Sequence, residues 1–165
     1  MKLEEVETPE VAEVFAINAL APFVMNAKLL PLMKRTAARK EGSEGASSTD
    51  VYIVNVSAME GKFHRYKSPY HPHTNMAKAA LNMMTRTSAA DLAKQGVLMC
   101  AVDTGWINDE NPLERAKSYA EAHDFQTPID EIDAAARILD PVAVGRNDGA
   151  RISGVFLKDY HVTEW

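Results

Sequence analysis

Two short runs, "VYIVNV" (51–56) and "VLMCAV" (97–102), constrain the fold more than anything else in the chain. Both are apolar, the first is rich in β-branched residues, and neither alternates cleanly between apolar and polar. A strand with one wet face alternates; a strand covered on both faces does not. Both runs are therefore expected to be strands of a parallel sheet buried on both faces. The segments around them follow a different period. Val11, Val14, Phe15, Leu20, Phe23, Val24, Ala27, Leu30 and Met33 recur at helical spacing, and Lys34, Arg35, Arg39 and Lys40 suit the negative end of that helix. Thr8-Pro9-Glu10 reads as its start: a capping hydroxyl, a proline in the first turn, then an acid. A second helix is expected from about Thr74 to Lys94, with Gly96 as its stop. Thr127-Pro128 repeats the cap-plus-proline start, and Ile129, Ile132, Ala136 and Leu139 line one face as far as Pro141. "ISGVFLKDY" (152–160) is expected to be a third strand. Helix and strand thus alternate three times, which predicts right-handed crossovers between parallel strands.

The 165 residues suffice for one domain with a core of its own. "EGSEGASSTD" (41–50) reads as a polar loop, and 111–126 as polar and partly helical. A net charge of −5 without a basic patch argues against nucleic-acid binding. No unbroken apolar run approaches the roughly 18 residues of a membrane span, and "MKLEEVETPE" lacks the apolar core of a signal peptide. No membrane association is expected. Cys100, the one cysteine, has no internal partner and sits in an apolar run. It reads as a buried structural thiol in a cytoplasmic protein. His71-Pro72-His73 carries too little spacing information for a metal site, so none is assigned.

Four segments carry chemistry: "FAINALAPF" (15–23), "NVSAMEGKF" (55–63), "HPHTNMAKAAL" (71–81) and "VDTGWIND" (102–109). In this order they resemble the short-chain dehydrogenase/reductase family, and they match only its C-terminal part. The resemblance implies an α/β fold: the C-terminal part of a Rossmann-like, doubly wound parallel sheet, with three strands and flanking helices. Residues 1–165 would then be a single truncated domain without the N-terminal dinucleotide-binding half. The glycine-rich turn that holds a pyrophosphate in that half has no counterpart in this sequence.

Members of the resembling family are NAD(P)-dependent oxidoreductases that use Asn, Ser, Tyr and Lys. Lys78 matches the lysine that holds the nicotinamide ribose and lowers the pKa of the tyrosine. Asn18 matches the asparagine whose carbonyl holds a relay water. Pro22, four residues later, has no N–H to give that carbonyl, so a kink is expected. The tyrosine belongs one helical turn before Lys78, and Thr74 stands there. A threonine hydroxyl is no acid near neutral pH; its ordinary role at this place is a helix N-cap. Ala58 takes the place of the serine, and Ser57 precedes it. A slip of one residue would bring Ser57 into the site, and Tyr70 reaching back would be another substitute. Asn55 is expected to be a structural hydrogen-bonding group. Thr104 and Gly105 match the Pro-Gly turn that faces the nicotinamide, and Asp109 stands where many members have a cofactor-contacting threonine.

Three readings follow. The chain is a family member impaired or inactive in redox chemistry. Alternatively it is part of a longer, active NAD(P)-dependent oxidoreductase. Alternatively it is a non-enzymatic interaction module, a homodimer through the helices near 9–36 and 74–94, where Met76, Ala80, Met83 and Met84 offer an apolar stripe.

Overall fold

The computed structural model describes residues 1–39, 50–63, 66–107 and 127–165. Strands β1 (Val51–Ser57) and β2 (Val97–Asp103) are the two expected runs, each extended by one residue; β2 is buried throughout, while β1 forms the sheet edge and is only partly covered. They pair in parallel, from Val51 opposite Val97 to Ser57 opposite Asp103. β3 (Phe156–Lys158) joins β2 in parallel, with Ala101 opposite Phe156. The single strand expected over 152–160 is corrected. The chain turns at Asp159 and Tyr160 and returns as β4 (His161–Thr163), antiparallel to β3. The sheet is therefore four-stranded and mixed, in the order β1-β2-β3-β4, rather than three-stranded and all-parallel. Sequence rules missed this hairpin because both turn residues have positive φ, 48° and 66°, where Asn and Gly are the usual signal.

Helix α1 (Thr8–Phe15) continues through a π-helical turn, Ala16–Leu20, into α2 (Ala21–Ala37). Thr8 is the first helical residue rather than the cap; Glu7 holds the cap position without a side-chain bond. α3 (Pro72–Ala93) starts two residues earlier than expected, from His71 in the left-handed region. α4 (Glu131–Asp148) starts at Asp130 rather than at Thr127. The Asp130 carboxylate accepts from the N–H groups of Ile132 and Asp133, each at 2.9 Å. This helix also continues through Pro141 to a left-handed Gly149.

Successive side chains on a strand point to opposite faces. On one face Ile53 and Met99 pack with Ala89 and Leu92 of α3 and Leu30 and Met33 of α2. On the other, Val54, Cys100, Val102 and Leu157 pack with Ile152 and Val155. Gly145 of α4 lies on that second face, where an added Cβ would come within 2.4 Å of the Tyr52 phenol oxygen. Helices thus cover both faces of the sheet, and β2 is buried along its full length. That is the physical reason why its sequence does not alternate. Burial also pushes the Cys100 thiol from its ordinary 9.0 up to about 12.

The sequence holds no unbroken apolar run of membrane-spanning length, yet the helix running from Thr8 to Ala37 has the length and composition of a membrane span. Its best 18-residue window has a mean hydropathy of 1.4, long and apolar enough to cross a bilayer. In the structure this helix instead packs on the sheet through Leu30, Met33 and Asn26.

Candidate active site

The site is shaped by the outer side of β1. Val51 donates its N–H to the Gly96 carbonyl, on the β2 side. Backbone groups of successive residues in a strand point to opposite sides. Those of Tyr52, Val54 and Val56 therefore point away from β2, where no further strand lies among the described residues. A cleft of about 390 Å³ runs along this edge, walled by Ile17, Asn18, Met25 and Asn26 and closed by Lys78.

Lys78 reaches the strand from α3, and its ammonium donates to the Val56 carbonyl at 3.1 Å. Asn18 sits inside the π-helical turn. Pro22 cannot donate to the Asn18 carbonyl, and the Ala21 N–H instead bonds Ala16, five residues back. The expected kink thus takes the form of an inserted residue, while Asn18 Nδ2 donates to the Val14 carbonyl at 3.1 Å. The structure brings Asn18 and Lys78 to one cleft.

It places the other candidates elsewhere. Thr74 is the third residue of α3, not its N-cap. Its hydroxyl donates to the His71 carbonyl at 2.8 Å, while His71 donates its own N–H to the Met1 carbonyl at 2.8 Å. Ser57 is buried and is not among the residues lining the cleft, donating to Asn82 Oδ1 at 2.6 Å. Tyr70 is half-exposed just ahead of α3. Thr104 and Gly105 follow β2 and do not line the cleft. The buried Asp103 carboxylate accepts from the Gly105 N–H and from Lys158, each at 2.8 Å. Gly105 has φ 84°, and an added Cβ would lie 3.0 Å from both Arg137 Nη1 and Ile129 Cδ1. Asp109 and the segment 111–126 lie outside the described residues. Among the described residues no three metal-ligating side chains come together. The buried His73 instead faces Glu10, with Nε2 3.2 Å from the carboxylate.

Asn55 is the structural hydrogen-bonding group expected, but its partners and one further feature near the site escaped sequence reasoning. Those partners form a buried chain of donors. Asn26 donates to Asn55 Oδ1 at 3.2 Å, Asn55 to the Thr85 hydroxyl at 2.9 Å, and Thr85 to the Leu81 carbonyl at 3.0 Å. The polar residues inside otherwise apolar runs were its signal. The further feature is Lys62, only 2% exposed, which donates to the Thr163 hydroxyl at 3.0 Å and lies 4.9 Å from the Phe156 ring centre. It ties the loop after β1 to the C-terminal hairpin. Its partners are some hundred residues away, so no local pattern announces the contact.

Known proteins agree with this architecture. The family model described as short chain dehydrogenase matches residues 1–119. An uncharacterized protein of Acanthamoeba polyphaga mimivirus is 31% identical over 144 residues, covering 84% of this chain and 28% of that protein. The C-signal protein of Myxococcus xanthus is 26% identical over 108 residues, covering 66% of this chain and 58% of its own length. The chain therefore spans less than two thirds of either relative. Among solved structures, the carbonyl reductase Sniffer of D. melanogaster superposes with a TM-score of 0.72 at 20% identity, and the NADPH-bound carbonyl reductase from chicken fatty liver with 0.67 at 21%. Each match covers all of this chain and 61% of the other, and at that identity each speaks for the fold alone. The paired α/β elements and the matched family model lead to one conclusion: the chain belongs to the short chain dehydrogenase family.

Proposed function

We propose that this chain, by itself, is a redox-inactive member of its family. The observation that carries the reading is the Thr74 hydroxyl, one helical turn before Lys78, bonded to the His71 carbonyl. Proton exchange with a carbonyl substrate needs an acid that a neighbouring cation can tune, and an aliphatic hydroxyl is not one. Ser57 gives its proton to Asn82, and Ala58 has no donor to offer a substrate oxygen.

The residues present do not fit a dinucleotide. Lys78 carries the only charge among the described residues lining the cleft, and its ammonium sits on the Val56 carbonyl. The space beside Gly105 is taken by Arg137 and Ile129. No reaction step is derived through NAD(P). Titrating NADH and NADPH against the purified chain by calorimetry tests the reading. No binding in the micromolar range is expected; micromolar binding with turnover of a carbonyl substrate would overturn it and favour an active oxidoreductase of which this chain is part.

A second reading, association of two copies through their helices, has an observation of its own. Leu20 and Phe23 on one side and Met76 and Met83 on the other are each more than half exposed, beside a groove of about 380 Å³ between α1–α2 and α3. Apolar patches of this kind mark association surfaces. Light scattering is expected to give the mass of a dimer, and Phe23→Glu that of a monomer; a wild-type monomer at high concentration rules the reading out.

A further inference from the structure

We infer that Ser57, Gly61 and Asn82 form a clamp that sets the position of Lys78, making Ser57 and Asn82 positioning residues for that lysine. Asn82 stands one helical turn after Lys78 on α3. Its side-chain carbonyl accepts the Ser57 hydroxyl at 2.6 Å, and both side chains are at least 96% buried. This bond joins the last residue of β1 to the turn of helix that carries the lysine. The short 3-10 turn Met59–Gly61 then brings Gly61 against the same point. A Cβ on Gly61 would lie 2.6 Å from the Lys78 carbonyl carbon, 2.8 Å from its oxygen and 2.8 Å from Asn82 Nδ2. Three groups therefore meet where α3 crosses the end of β1: a side-chain amide, a peptide carbonyl and a residue without a side chain.

The clamp fixes helix rotation as well as distance. Residues four apart share a helix face, so holding Asn82 on Ser57 also holds Lys78 facing β1. Val56, next to Ser57, points its carbonyl to the other side of the strand, and Lys78 meets it there. Adjacent residues of one strand thus anchor two residues of one helix, the first through a buried bond and the second through the ammonium. Buried polar pairs of this kind specify one arrangement where apolar packing tolerates several.

The inference does not depend on cofactor binding, so its test uses none. Lys78 is labelled with limiting acetic acid N-hydroxysuccinimide ester in the full chain, and the rate is read by mass spectrometry with Lys94 as internal reference. In Asn82→Ala and Ser57→Ala the Lys78 rate is expected to rise roughly fivefold relative to Lys94, the factor set by one hydrogen bond of ordinary net strength. Ser57→Thr keeps the hydroxyl and is expected to restore the wild-type rate. Should Asn82→Ala not fold, Ser57→Ala, which removes a single oxygen, carries the comparison. An unchanged Lys78 rate in a folded Ser57→Ala overturns the inference. So does an equal rise at Lys94, which would mean general loosening.

Discussion

Replacing Asn55 by alanine is expected to remove about 2 kcal/mol of stability, and the figure follows from its two bonds. Asn55 accepts from Asn26 at 3.2 Å and donates to Thr85 at 2.9 Å, and its side chain is buried. Each neutral bond contributes roughly 1 kcal/mol net, so two give about 2. No large orphan penalty adds to this. Asn26 is partly exposed and water can reach it, and Thr85 keeps the Leu81 carbonyl for its hydrogen. Urea denaturation followed by circular dichroism measures the loss, and heating is expected to show a midpoint lower by roughly 4–8 °C for a chain of this size. Thr85→Val closes a double-mutant cycle, in which about 1 kcal/mol of coupling is expected from the shared bond. Asn55→Asp is expected to cost more than Asn55→Ala. A carboxylate there accepts from Asn26 but faces a Thr85 oxygen whose hydrogen is already given away, with a buried charge besides. A folded Asn55→Ala within 0.5 kcal/mol of wild type by the same denaturation, or an additive cycle, refutes the reasoning.

Three further outcomes are expected. Cys100 stays protonated in the fold while the unfolded chain releases its proton, so stability is intact below about pH 9 and falls by up to about 1.4 kcal/mol per unit as pH rises toward about 12; Cys100→Ala, measured over the same range, is expected to flatten that slope. Gly145→Ala is expected to destabilise by about 1–3 kcal/mol in thermal melts, because its Cβ would press on the half-buried Tyr52 ring. Asp130→Ala is expected to cost about 1 kcal/mol by denaturant titration, from two freed N–H groups at the start of α4.

The strands were legible because their physics is local. Burial on both faces removes alternation, and β2 displays that directly, whereas β1, at the sheet edge, buries Ile53, Asn55 and Ser57 and leaves Val56 exposed. The start of α4 was misplaced because Asp130 and Thr127 are both competent caps, and geometry rather than residue type decides between them. The β3–β4 turn escaped because Tyr160 holds a left-handed backbone conformation where glycine is the usual signal. At the site, the sequence placed Asn18 and Lys78 on elements that do converge. It had no means of showing where each hydroxyl donates. Thr74 looks like a cap in a string of letters, and only the backbone reveals that His71 holds that position.

The direction of the backbone groups along β1 has a consequence for solvent exchange. Amide protons of Ile53, Asn55 and Ser57 are shared with β2, whereas those of Tyr52, Val54 and Val56 face the cleft. One strand should therefore hold two populations of deuterium uptake interleaved residue by residue, slow at odd positions and fast at even ones. A segment-averaged measurement would read this as moderate protection everywhere. Resolved singly, the same six amides would report which side of β1 is sealed, and would register at alternate sites anything that comes to occupy the other.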